Sequence, residues 1–181
     1  MDPQTIVFNG YYTLIAATLV LLLGRFLVKN IPFLRNFNIP EPVAGGLLAA
    51  ILITTLYSLF NLTFQFESAL QTAFMLIFFS SIGLSADFSR LKQGGMPLVI
   101  FLIIVSVFIL LQNLVGVGMA TLLGENPLIG LIMGSITLTG GHGTGAAYGN
   151  ILTEQFNISN AVEMAMVSAT FGLVAGGLIG G

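Results

Sequence analysis

The chain has 181 residues; 56% are hydrophobic, only 7% are charged, and the formal net charge is −2. Soluble domains carry about 25% charged residues, so this composition has a membrane for its solvent. The small net charge argues against a nucleic-acid partner, and the absence of cysteine removes any disulfide framework or thiolate metal site.

The first residues, MDPQTIVF, carry an acid at Asp2 and no basic stretch. A cleaved signal peptide is therefore not expected. About 20 apolar residues cross a bilayer core as a helix. Uncharged runs accordingly predict spans over residues 5–24, 43–60, 69–86 and 97–123. A further uncharged run covers 126–153, and a last span covers 164–181. The runs are continuously apolar rather than alternating, which favours helices over a barrel. The expected fold is an all-α membrane protein forming a single transmembrane domain over 1–181. It would have about five crossing helices plus a broken helix or re-entrant loop.

Basic residues set the orientation. Arg25, Lys29 and Arg35 cluster between the first two spans, and Arg90 and Lys92 lie between the third and fourth. The connections around Glu67 and Glu125 hold acids only. These positions place the N-terminus outside and both basic loops in the cytoplasm. Asp87, Arg90 and Lys92 read as a solvated loop.

Residues 137–149, TLTGGHGTGAAYG, hold five glycines and the only histidine of the chain. Glycine costs about 1 kcal/mol in a helix interior. Gly140, Gly141, Gly143 and Gly145 should therefore break the apolar helix that begins at Pro127, with helix resuming by Ala146. Broken backbone at membrane depth survives only inside protein or beside a wet cavity, and such breaks form sites in secondary transporters. A first half-helix ending near Thr139 would present free carbonyls to a cation such as Na⁺. A second beginning near Thr144 would present free N–H groups to an anion. Thr137, Thr139 and Gly140 are the candidate cation ligands, with Ser135 one turn earlier. Gly141, His142, Gly143, Thr144 and Gly145 are the candidate substrate contacts.

Helix packing is the competing explanation for the glycines. Gly130 with Gly134, Gly141 with Gly145, and Gly172 with Gly176 all have GxxxG spacing. Packing suits the first and last pairs; GGHGTG is too dense in glycine for a continuous helix. A phosphate loop is a poor fit, since no strand precedes the glycines and no lysine follows. His142 could carry a proton, donate to substrate or be a satisfied structural residue. Nothing nominates an orienting acid for enzymatic chemistry, so no catalytic residue is expected.

At GGHGTGAAYG the sequence resembles the bacterial sodium/glutamate symporters, often called the ESS family. IPEPVAGGLLAA, FFSSIGLSADFSRLKQGG, QNLVGVGMA and PLIGLIMGSITLT resemble further blocks of that family, in the same order. The resemblance implies Na⁺-coupled uptake of glutamate at the bacterial plasma membrane. It also implies two halves of inverted topology sharing a midplane site, a glycine-rich pore loop dipping in from outside, and a homodimer. Family members are about twice this length, so the chain corresponds to an N-terminal half or to a half-length product needing a partner half. A channel or exchanger subunit, or a structural partner, remains the alternative.

Four polar residues sit near or within spans. Glu41, between Pro40 and Pro42, and Glu163 each begin a span as helix-capping acids, or else as a gate or ion ligand (Glu41) and a cavity-facing gate or accessory residue (Glu163). Gln112 and Asn113 lie in the middle of the fourth span, where a buried amide needs partners. They either fix helix contacts or face a cavity.

Overall fold

The computed structural model describes residues 4–180, apart from the side chain of Arg90. Asp2, Gly181 and that side chain lie outside the described residues. Among the described residues, five helices are long and apolar enough to cross a membrane: α1 (Gly10–Asn30), α3 (Glu41–Phe60), α4 (Ser68–Ser85), α6 (Gly95–Leu122) and α9 (Ala161–Gly180). Shorter helices are α2 (Pro32–Asn36), α5 (Phe88–Gln93), α7 (Pro127–Leu131) and α8 (Gly141–Phe156). Most large apolar side chains are exposed, along α6 above all. Such a surface is stable only against lipid or further protein. The chain forms two compact units, residues 4–78 with 176–180, and residues 79–175.

The first unit departs from the sequence expectation at its start. Residues 4–7 form a strand, β1 (Gln4–Val7), rather than the head of a span. It pairs in parallel with β2 (Leu62–Gln65), in register from Gln4 against Leu62 to Val7 against Gln65. The two segments are distant in sequence, so neither predicts the other. Glu67 N–H donates to Thr13 Oγ1 at 3.1 Å, and the Phe8 ring lies 5.3–6.5 Å from those of Tyr12, Phe64 and Phe66. The beginning of the chain is thereby tied to the α3–α4 connection.

Helix α1 starts where Asn9 caps Tyr12 N–H at 3.1 Å, and it continues six residues past the expected end at Gly24. Charge ends an apolar run without ending a helix: Arg25 and Lys29 are good helix formers, and Lys29 complements the C-terminal dipole. The stop comes from Pro32, which holds Ile31 in an extended conformation (φ −104°, ψ 104°). Pro42 fits the first turn of α3, so that helix begins at Glu41, two residues before the predicted start. A Cβ on Gly24 would strike the Glu41 carbonyl, and one on Gly45 the Val20 carbonyl. Main chain meets main chain there, which is how glycines bring two membrane helices together.

In the second unit α6 runs 28 residues, about 42 Å. Asn126 caps the next helix by accepting from Leu128 N–H at 3.0 Å, with Pro127 in the first turn. Gly116 of α6 and Gly130 of α7 touch through their backbones; a Cβ on either would collide with the other's carbonyl. The core of the unit gathers Ile132, Leu152, Ile158, Ala161 and Ala165, with Leu128 and Ile129 against it. The beginning of α7 therefore lies beside the end of α8, and the two run antiparallel.

Candidate functional site

The discontinuity begins earlier than the glycine count predicted. After α7 comes a π-type turn over Ile132–Ile136, and inside it Gly134 is non-helical (φ −99°, ψ −128°) and buried. Gly134 is thus a bend, not half of a GxxxG contact; its expected partner in that motif, Gly130, packs on Gly116 instead. The bend frees the N–H of Ser135 from the helical ladder. Asn113 Oδ1, reaching across from α6, accepts it at 3.1 Å. One residue earlier on α6, Gln112 Oε1 accepts from Thr139 Oγ1 at 2.6 Å. Both amides flagged in the fourth span therefore fasten the broken segment to α6.

Helical geometry persists to Leu138 and fails at Thr139 and Gly140. It resumes at Gly141, whose φ of +74° is open to glycine and strained for most other residues. The expected gap up to Thr144 is not there: His142, Gly143, Thr144 and Gly145 all lie within α8. Tertiary contact outweighs their poor helix propensity. Gly145 is buried against Ala165, Met166 and Thr137, each 3.3 Å from where its Cβ would be. A Cβ on Gly149 would come within 2.8 Å of Val162 Cα. Glycine at these positions serves close approach as well as the break.

The candidate cation ligands are arranged as follows. Thr137 is buried, 2% exposed, and its hydroxyl donates to Ile132 O at 2.7 Å. Thr139 is exposed and held by Gln112; Gly140 is exposed, and its carbonyl accepts from Thr144 Oγ1 at 2.9 Å. Each oxygen keeps a lone pair after these bonds. Among the described residues no cluster of three or more His, Cys, Asp or Glu side chains could hold a metal. A cation at the break would therefore meet hydroxyl, amide and carbonyl oxygens, the ligand set suited to a hard monovalent ion.

His142 has a partner that no local sequence signal identifies. Its Nε2 lies 2.9 Å from Thr170 Oγ1 on α9, and that hydroxyl donates its own hydrogen to Met166 O at 2.8 Å. A hydroxyl has one proton, so Nε2 must be the donor in this pair. Glu163 is exposed in the first turn of α9. In the first unit, Glu41 occupies the first turn of α3. Both placements suit acids complementing helix dipoles.

Two cavities flank the break in this unit. One, about 530 Å³, is lined by Asn113, Ser135, Thr139, Gly140, Thr144 and Tyr148, among others. The other, about 820 Å³, is chiefly apolar, with Met119, Met133 and Met164 in its wall. The smaller groove is also mostly apolar, with Ile109, Leu128, Leu131, Ile136, Ile151, Leu152 and Phe156 in its wall, and it joins α6, the bend and the start of α8. Tyr148 is a polar lining residue that sequence reasoning did not single out, as are apolar ones such as Ile109 and Phe156.

Five apolar crossing helices and a discontinuous antiparallel pair tethered to one of them define a multi-pass α-helical membrane protein. The family model described as sodium/glutamate symporter matches residues 6–181, and the chain belongs to that family. Proteins named sodium/glutamate symporter from Haemophilus influenzae and Escherichia coli are 54% and 53% identical to it over 174 and 169 residues. These matches take in 96% and 93% of this chain but 43% and 42% of the two relatives. The chain thus spans less than half the length of the curated relatives it matches. No solved structure matches it.

Proposed function

We propose that this chain supplies the N-terminal half of a Na⁺-coupled symporter for glutamate or a related acidic amino acid, with substrate and ion meeting at the Thr139–Gly141 break. The observation that carries this is the break itself, lying against a groove whose otherwise apolar wall carries the hydroxyl and amide groups of Asn113, Ser135, Thr139, Thr144 and Tyr148. Free carbonyls at one helix end favour a cation, and free N–H groups at the α8 start favour an anion. Thr137, Thr139 and Gly140 supply oxygens to Na⁺; residues 141–145 supply the substrate side. The relatives' name supports the pairing of sodium with glutamate.

The broken pair re-enters rather than crosses. Pro127–Ile136 is about 15 Å long and α8 about 24 Å, each short of the ~30 Å hydrocarbon core. Leu128 lines the same groove as Leu152 and Phe156, which supports a hairpin that returns to the side it entered. All five Lys and Arg residues fit a topology with the N-terminus outside the bacterial inner membrane and the hairpin dipping in from outside. A second transporter half of inverted topology and a homodimer complete the assembly.

Purified protein expressed from the whole reading frame tests the proposal in proteoliposomes. Glutamate should accumulate only under an inward Na⁺ gradient. Na⁺ flux that ignores glutamate would instead indicate a channel or exchanger.

A further inference from the structure

We infer that the side-chain amide nitrogen of Asn113 is a specificity donor that binds a carboxylate of the transported acidic amino acid. This rests on the proposed function and assigns it a residue on α6, outside the glycine block.

The orientation of the Asn113 amide is set by chemistry. A backbone N–H can only donate, so the atom 3.1 Å from Ser135 N must be Oδ1. Nδ2 then points elsewhere, and it has no hydrogen-bond partner among the described residues. Asn113 is half-buried and lines the smaller groove with Ser135, Thr139, Gly140 and Thr144. Nδ2 is accessible rather than sealed in the core, so its acceptor is water or a ligand.

A carboxylate is the acceptor that fits. It offers only lone pairs, and bonds to it are charge-assisted. No Lys or Arg occurs after Lys92 in this chain, so the groups that α6 to α9 themselves offer an anion are neutral donors. Gly140 and Thr144 also line the groove, but Gly140 N–H donates to Ser135 O and the Thr144 hydroxyl to Gly140 O. The Ser135 and Tyr148 hydroxyls also line this groove and have no hydrogen-bond partner among the described residues, so it holds donors besides Nδ2, which suits a molecule with two carboxylates. Gln112 bonds Thr139 but does not itself line this groove; it lines the larger cavity.

Two substitutions separate substrate binding from mere helix fastening. Asn113→Asp keeps an oxygen acceptor for Ser135 N–H but replaces the donor by a negative oxygen. Asn113→Ala removes both. If Asn113 only fastens the bend, the aspartate variant transports better than the alanine one. If Nδ2 binds carboxylate, glutamate KM in proteoliposomes rises about 10–100-fold in the alanine variant and further in the aspartate variant. An aspartate variant at or below the KM of the alanine variant overturns the assignment.

Ile109, one turn before Asn113, lines the same groove, and the chain has no cysteine. In Ile109→Cys, glutamate with Na⁺ should slow maleimide labelling, while leucine should not. Equal labelling with and without glutamate rejects the groove as the site even should the Asn113 variants fail to fold. Failure of the proposed function itself shows separately, as absent Na⁺-driven uptake by the unsubstituted protein.

Discussion

Adding one methyl group at Gly116 should loosen the site a turn away. In Gly116→Ala the new Cβ would overlap the Gly130 carbonyl. Carbon contacts are comfortable only from about 3.5 Å, so α7 must retreat from α6 by about 1 Å. Overpacking of this kind costs about 1–3 kcal/mol. At about 2–4 °C per kcal/mol for a chain this size, the midpoint of thermal unfolding should fall by about 2–12 °C. Asn113 is one turn before Gly116, and Ser135 is five residues past Gly130. The same retreat lengthens their 3.1 Å hydrogen bond to about 4 Å, beyond bonding range. Transport should thus suffer together with stability. The assay is survival of monodisperse protein after heating in detergent, with Gly118→Ala alongside. A Cβ at Gly118 meets nothing within 4 Å. That substitution should be neutral or should stabilise by up to about 1 kcal/mol, through helix propensity alone. Equal behaviour of the two variants would refute the backbone contact between α6 and α7.

Further outcomes are expected elsewhere in the second unit. Gly141→Ala forces a side chain to a φ of +74° and should cost about 1–2 kcal/mol in the same heating assay; an unchanged midpoint speaks against the break at Gly140–Gly141. Gly143→Leu should abolish uptake while membrane insertion, followed by fractionation, stays intact; retained uptake would remove Gly143 from the substrate site. Thr170→Val leaves His142 Nε2 without its acceptor and should destabilise by about 0.5–1.5 kcal/mol, with Thr170→Ser close to the original. Glu154→Cys should be labelled by an impermeant thiol reagent from outside the cell; labelling from the cytoplasm alone contradicts re-entry.

Much of this protein was legible in composition and charge spacing. Twenty-residue apolar runs can satisfy their own backbone in lipid only as helices, so the five crossing helices follow from the runs themselves. The density of glycine in GGHGTG likewise announced a discontinuity. Boundaries were less legible, because charge marks where lipid ends and not where a helix ends, as Arg25 and Lys29 within α1 illustrate. Pairings distant along the chain left no local trace. The β1–β2 ladder, the Gly116–Gly130 contact and the His142–Thr170 bond each join residues separated by 14 to 58 positions. The bend at Gly134 belongs with these. Glycine permits a non-helical turn at many places, and here one is held where Asn113 of another helix receives the N–H it releases. Local propensity lists where a helix can break; the partner waiting across the packed interface selects which of those breaks is occupied.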